Sequence, residues 1–394
     1  VSVTAPQGFR AAAVAAGIKP DRPDLALLVA DGPCSAAGVF TANLAKAAPV
    51  LVSREHVSKG RARAVVVNAG CANAATGEQG LRDAREMATL TAAAVGCAPG
   101  EVLVASTGVI GVNLPMDKLR AGIPAAGAAL SRDGGAAAAR AIMTTDTRPK
   151  EFVAELTLGG TTVRVGGMAK GAGMIAPNMA TMLAFFTTDA AVDPGLLQRA
   201  LREAVGETLN RITVDGDTST NDMAVILASG ASGAPAIREE DASFSAFRHE
   251  LYRTAGWLAE AIVRDGEGAT RVAEVRVEGA GSVAEGDRVA RTIAESPLFK
   301  TALHGGDPNW GRILAAAGRS GVGFDPGRVS IWLGDVFVAE NGAAREYSEA
   351  LAHEAMLADP VRVRVHLGQG DHVSWIWTCD LTRAYVDINA HYRS

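Results

Sequence analysis

The chain has 394 residues, of which 48% are hydrophobic and 21% charged, the make-up of a globular protein too long for one ordinary core. Its net charge of −5 comes with no basic stripe, which argues against a nucleic-acid partner but leaves room for an anionic small molecule. The alanine-rich stretch 121–143 is broken by Arg132, Asp133 and Arg140, so no membrane span is predicted.

In chain order, the opening "VSVTAPQGFRAAAVAAG" lacks a basic region followed by an apolar run. No secretory leader is expected and a cytoplasmic location is predicted. Short apolar runs predict strands at 62–67, 101–106, 161–167, 181–188 and 223–229. Asp193 followed by Pro194 reads as a helix start, and Leu197, Leu201, Ala204 and Val205 make its apolar stripe. Phe244, Phe247, Leu251, Leu258 and Ile262 mark a second helix that stops at "DGEG" (265–268).

Further on, a helical segment is expected near 345–357. "VRVRVH" (361–366) alternates as a half-exposed strand, with "VSWIWT" (373–378) as its expected partner. The mixture predicts an α/β or α+β protein. The "GAGS" turn (279–282) is the expected boundary between a first domain, 1–280, and a smaller αβ domain, 281–394. Cys34, Cys71, Cys97 and Cys379 are widely spaced with no CxxC pair, as reduced thiols would be.

Several motifs fail on inspection. "GAGMIA" (171–176) fits the GxGxxA dinucleotide fingerprint, but Pro177 falls where its helix should be running. No Gly-Lys pair exists for a P-loop, and no G-x-S-x-G elbow for a hydrolase serine. "DGDTSTND" (215–222) resembles a calcium loop with Thr220 at the required glycine; its polar groups are expected to cap turns instead. The seven histidines complete no H-E-x-x-H. Neither a metal nor a bound cofactor is predicted.

Thr181 stands out in "GMIAPNMATMLAFFTTDA" (173–190). In such a run a threonine is ordinarily strand core. Here it follows the turn signal Pro177–Asn178, with Lys170 in a glycine-rich loop eleven residues earlier. A hydroxyl at that junction can attack the carbonyl of Ala180, cutting the chain and leaving Thr181 as a new N-terminus. Its α-amine, with an ordinary pKa of about 7.7–8.0, then serves as general base beside its own hydroxyl, with no histidine required.

"KGAGMIAPNMATML" (170–183) resembles the processing motif of the ornithine acetyltransferase family, the glutamate N-acetyltransferases of the cyclic arginine pathway. The resemblance runs along the chain through "NAGCANAATG" (68–77), "ASTGVIG" (105–111), "MTTDTRPK" (143–150), "VDGDTSTNDMA" (214–224), "DGEGATR" (265–271), "SPLFKTALHGGDPNWGRI" (296–313) and "CDLTRAYVDINAHYRS" (379–394). It implies an αββα-layered catalytic domain like that of N-terminal nucleophile hydrolases, differently connected, with a C-terminal αβ domain whose tail returns to the site.

It also implies self-cleavage between Ala180 and Thr181, with Thr181 carrying the acetyl group and Thr107 and Gly108 forming the oxyanion hole. Thr144, Lys170, Glu267, Asn389 and Ser394 become substrate-binding positions. Lys170 is suited to an α-carboxylate, Glu267 to the ornithine side-chain ammonium and Thr144 to an amide atom; on sequence alone both charges would be solvated loop residues. The implied substrates are N2-acetyl-L-ornithine and L-glutamate, with acetyl-CoA as a second donor left open. The cleaved chains are expected to stay paired and to form a homo-oligomer. The rival reading is an amidase or aminopeptidase of the same architecture, in which water resolves the acyl-enzyme.

Overall fold

The computed structural model describes residues 2–176 and 182–391. They fall into two compact units, the first holding residues through Asn210 and Asp217–Ile262, the second Arg211–Gly216 and the chain from Val263 onward.

The strands of the first unit are β1 (Phe9–Val14), β2 (Leu25–Phe40), β3 (Arg61–Cys71), β4 (Val102–Val109), β5 (Lys150–Leu158), β6 (Thr161–Lys170) and β7 (Leu183–Thr188). β8 (Ile212–Thr213) belongs to the second unit, and β9 (Met223–Ala228) rejoins the first. The sheet order is β4-β3-β2-β9-β7-β6-β5, with β1 also paired to β2. β2 links the two halves, pairing with β3 from Leu25 and with β9 from Ser35 to Phe40, and its register shifts between Val29 and Cys34. Such an irregularity lets a sheet bend.

Period-2 alternation then sorts the side chains. Val65, Val67, Leu103 and Ala105 of β3 and β4 share one core with Phe185, Met223, Val225 and Leu227 of β7 and β9, so the two halves of the sheet face each other. The alternate residues Ala64, Val66, Val102 and Val104 face outward, onto Val52 of α1 (Ala48–Val57), Met87 of α2 (Gly77–Val95) and Leu119 and Ile123 of α3 (Met116–Ala128). α4 (Gly135–Ala141) closes the inner core with Ala138 and Ala139.

On the other flank α5 (Pro194–Glu207) packs against β2 and β9. α6 (Ala242–Arg264) lies so close to β6 that a Cβ on Gly167 would meet Thr254 and Leu258 within 3 Å. The layers are therefore helix, sheet, sheet, helix. α5 starts as its sequence predicts, with the Asp193 carboxylate accepting from the N–H groups of Gly195 and Leu196.

The second unit is a sheet of β8 with β10 (Val272–Ala280), β11 (Ser330–Leu333), β12 (Val336–Glu340), β13 (Ala343–Ala344), β14 (Val361–His366) and β15 (His372–Cys379), in the order β13-β12-β11-β14-β10-β15-β8. One face buries Val275, Val277, Ile331, Val363 and Val365. The helices against it are α7 (Val283–Ala294), α8 (Pro297–Gly305), α9 (Trp310–Gly318) and α10 (Glu349–Met356). α11 (Arg383–His391) follows the last strand.

One expectation is corrected. β14 and β15 are not partners: β10 lies between them, parallel to β14 and antiparallel to β15. The short connection passes over the end of β10, where Leu367, Gln369 and Gly370 donate to the carbonyls of Glu278 and Gly279. The two compact units meet in sequence at Ile262–Val263, ahead of β10, one of the inner strands of the second sheet. The expected strand 181–188 is described from Leu183 onward, Thr181 lying outside the described residues.

Candidate active site

In the first unit the site is built where two strands end. β4 and β3 run parallel, with Thr107 beside Ala69 and Gly108 beside Gly70, and the register breaks at Cys71. Gly108 has φ +127°, and a Cβ there would lie 2.4 Å from the carbonyl carbon of Gly70. Only glycine lets the two backbones approach this closely.

A buried polar brace fixes the turn. Ser106 Oγ donates to Asn68 Oδ1 at 2.6 Å, and Asn221 Nδ2 donates to the carbonyls of Ala72 and Ser106 at 2.6 and 2.9 Å. Asn221 comes from the segment resembling a calcium loop, whose Thr218 hydroxyl also donates to the Ala176 carbonyl. Its polar groups thus tie loops together. Among the described residues, no group of His, Cys, Asp and Glu is placed to hold a metal ion. Residues 171–176 form no helix.

Lys170 ends β6. Its ammonium donates to Thr144 Oγ1 at 2.7 Å and to Thr107 Oγ1 at 3.3 Å. Three of the sequence-predicted positions, on separate segments of the chain, thus meet at one nitrogen. Lys170 is buried, not the solvated loop charge its sequence setting suggests.

Asp146 lies behind it, fully buried. It accepts from Lys150 Nζ and the Gly171 N–H, both at 2.7 Å, and from the Thr144 N–H at 2.9 Å, with Lys170 Nζ at 3.9 Å. Burial alone would raise this carboxyl; the charges of Lys170 and Lys150 outweigh it and hold Asp146 well below the usual carboxylate range. The loop before Thr144 is gripped through its carbonyls. Lys19 Nζ donates to Ala141 and Met143, and Arg22 to Thr144. Burial, then Arg22, lowers Lys19 to about 8.

Thr181 and its partner in the expected scissile bond, Ala180, lie outside the described residues, but the flanking chain is anchored here. Leu183 pairs with Lys170 across β7 and β6, and the Met182 carbonyl accepts from the Met223 N–H.

The second unit carries Glu267 and Asn389, joined by a hydrogen bond of 2.7 Å from Asn389 Nδ2 to Glu267 Oε2. Glu267 is buried. α11 packs on this turn so tightly that a Cβ on Gly268 would meet the Tyr385 nitrogen at 2.6 Å, and Thr382 Oγ1 donates to the Gly268 carbonyl. Ser394 lies outside the described residues. "HGGDPNWGR" (304–312) has a structural use. Asn309 caps α9, and the His304 ring bonds to Asp380, which also accepts from Thr270 and Arg271.

Sequence reasoning missed Asp146, Lys19 and Arg22. Asp146 sits inside the distinctive stretch 143–150, and its signal was an acid among threonines with two cations close behind.

Residues 10–394 match the ArgJ family. The arginine biosynthesis bifunctional protein ArgJ of Symbiobacterium thermophilum is 53% identical over 395 residues, covering 100% of this chain and 98% of its own. That of Methylococcus capsulatus is 52% identical over 391 residues, with 98% and 95% covered. The crystal structure of the Bacillus halodurans arginine biosynthesis bifunctional protein is 45% identical with a TM-score of 0.52, and covers 54% of this chain and 100% of its own. The chain belongs to the ArgJ family.

Proposed function

We propose that this protein is a glutamate N-acetyltransferase of arginine biosynthesis that moves acetyl from N2-acetyl-L-ornithine to L-glutamate through an ester on Thr181. Family membership supports the overall reaction. The observation that carries the site is the Lys170 ammonium bonded to both Thr107 and Thr144, in register with Leu183, two residues beyond Thr181.

In this mechanism Thr181 Oγ attacks the acetyl carbonyl while its own α-amine takes the hydroxyl proton. The oxyanion is held by the Thr107 hydroxyl and the Gly108 N–H. Collapse breaks the amide and passes the proton to ornithine, which departs. The glutamate amine then attacks the ester and reverses the steps. Lys170, Thr144, Glu267, Asn389 and Ser394 serve as substrate-binding groups, Glu267 for the ornithine side-chain ammonium.

The Bacillus chain supports cleavage at Ala180–Thr181. It spans 54% of this chain from end to end of its own, the share that residues 181–394 occupy. Pairing of the two fragments, further assembly of the pairs and a cytoplasmic location belong to the same reading. So does acetyl-CoA as a second donor, favoured by the designation of the relatives as bifunctional. Among the described residues, no helix is long and apolar enough to cross a membrane. The amidase alternative draws no support from the relatives.

The test is Thr181→Val, which keeps shape and strand preference and removes only the oxygen. On a denaturing gel it should run as one chain where the natural protein gives two, and acetylornithine with glutamate should yield no acetylglutamate. An active valine variant would overturn the mechanism.

A further inference from the structure

The ammonium of Lys170 donates to two hydroxyl oxygens at once. An ammonium has no acceptor, so each threonine oxygen receives from it and keeps its own hydrogen to donate elsewhere. Thr107 is the side chain assigned to the developing oxyanion. A hydroxyl backed by a positive charge is a stronger donor than one backed by water, and the charge lies one bond behind the oxygen it must stabilise.

Such an ammonium has to be held charged in a place where water scarcely reaches it. Lys170 shares its surroundings with two further cations, Lys150 and Lys19, and with Arg22. Asp24 serves mainly the backbone, accepting from the N–H groups of Ala16 and Lys19. Asp146 is the carboxylate that faces both Lys150 and Lys170, and its side chain is 0% exposed. Two of its three short hydrogen bonds go to the backbone of Thr144 and Gly171, the residue Lys170 bonds and the one that follows Lys170.

We propose that Asp146 is a positioning residue of the acetyl transfer: it holds the Lys170 ammonium charged and aimed, so that Thr107 and Thr144 present hydrogens, not lone pairs, to the substrate. This rests on the acetyltransferase reading and extends it to a carboxylate that touches no substrate. Without Asp146 the carboxylate that faces both Lys150 and Lys170 is gone, and the loss of that charge favours release of a proton from one of the buried amines. If Lys170 does so, its nitrogen becomes an acceptor, Thr107 can turn its hydrogen inward, and the oxyanion loses a donor.

The experiment compares the natural enzyme with Asp146→Asn, which keeps the shape and removes the charge. Rates are referred to cut chain measured on a gel. The kcat for transfer should fall by about tenfold at neutral pH, less than loss of a whole oxyanion donor. KM should rise less than kcat falls, and the alkaline loss of rate should begin at lower pH. If the variant is cut only slowly or not at all, the rate of its cleavage, which uses the same hydroxyls, replaces kcat.

Because Asp146→Asn removes the carboxylate bonded to Lys150 and can fail to fold, Asp146→Asn with Lys150→Met is measured beside it. Removing one charge of each sign should restore folding but not rate. A folded variant of either kind with kcat within twofold of natural and an unmoved pH profile would overturn the proposal, leaving Asp146 a mere staple between β5 and β6. No transfer by the natural enzyme would instead be a failure of the acetyltransferase reading.

Discussion

Gly108→Ala adds one methyl group where the structure leaves no space. The new Cβ would lie 2.4 Å from the Gly70 carbonyl carbon and 2.7 Å from both Gly70 Cα and the Cys71 nitrogen, all backbone atoms. Ordinary contact begins at 3.4 Å, so β3 and β4 must part by about 1 Å at this point. A φ of +127° in alanine adds about 1–3 kcal/mol of strain, and the forced separation costs a further 1–3 kcal/mol or so. For a protein of this size that lowers Tm by roughly 2–7 °C. Displacing an oxyanion donor by about 1 Å should reduce kcat on the order of a hundredfold. The assay is acetylglutamate formation from acetylornithine and glutamate, well below the melting point, with the melt followed by circular dichroism. A folded Gly108→Ala protein with kcat within twofold of natural would refute both the close approach and the oxyanion role.

Glu267→Gln should weaken acetylornithine and ornithine by about 10- to 100-fold, the worth of one charge-assisted hydrogen bond, and leave the glutamate half-reaction less affected. Equal losses in both half-reactions, read from their separate kcat/KM values, would remove the assigned ammonium contact. Lys19 gives a pH dependence. Its folded pKa of about 8 lies below the ordinary 10.5, so between these values the unfolded chain binds more protons and stability rises with pH. Below 8 both states are protonated and the penalty is constant. Melting temperatures from pH 7 to 10.5 should therefore climb more steeply in the natural protein than in Lys19→Met; identical slopes would contradict the shift.

Much of this was legible before the structure. α5 announces itself through Asp193, Pro194 and one apolar stripe, and β3 and β4 through short apolar runs, because these are decided within a few residues of sequence. What escaped was decided at long range. β2 carries Gly32–Pro33 in its middle, within the stretch where its register with β3 shifts. β10 alternates as plainly as β14, but nothing local says that it lies between β14 and β15. Thr107, Thr144 and Lys170 were named from family resemblance; that they meet at one nitrogen follows from where β4 and β6 end. Asp146 was missed for a different reason. A lone acid near Arg148 and Lys150 looks solvated, and only the fold reveals that two lysines enclose it.

The sheet order has a consequence in time. β7 and β9 follow Thr181 in sequence, yet they lie between β2 and β6, which precede Ala180. Six residue pairs join β9 to β2 and another six join β7 to β6. Two pieces made separately would have to find each other with the sheet of the first split in two and its edges open. While the peptide is intact, that search occurs within one molecule, at an effective concentration of roughly millimolar. On the proposed reading, the Ala180–Thr181 bond would be a tether for folding before it is a site of cleavage, and cutting it would make assembly a one-way event. Once heated apart in dilute solution, the cut enzyme should not recover its activity on cooling, while the uncut Thr181→Val chain should regain its fold.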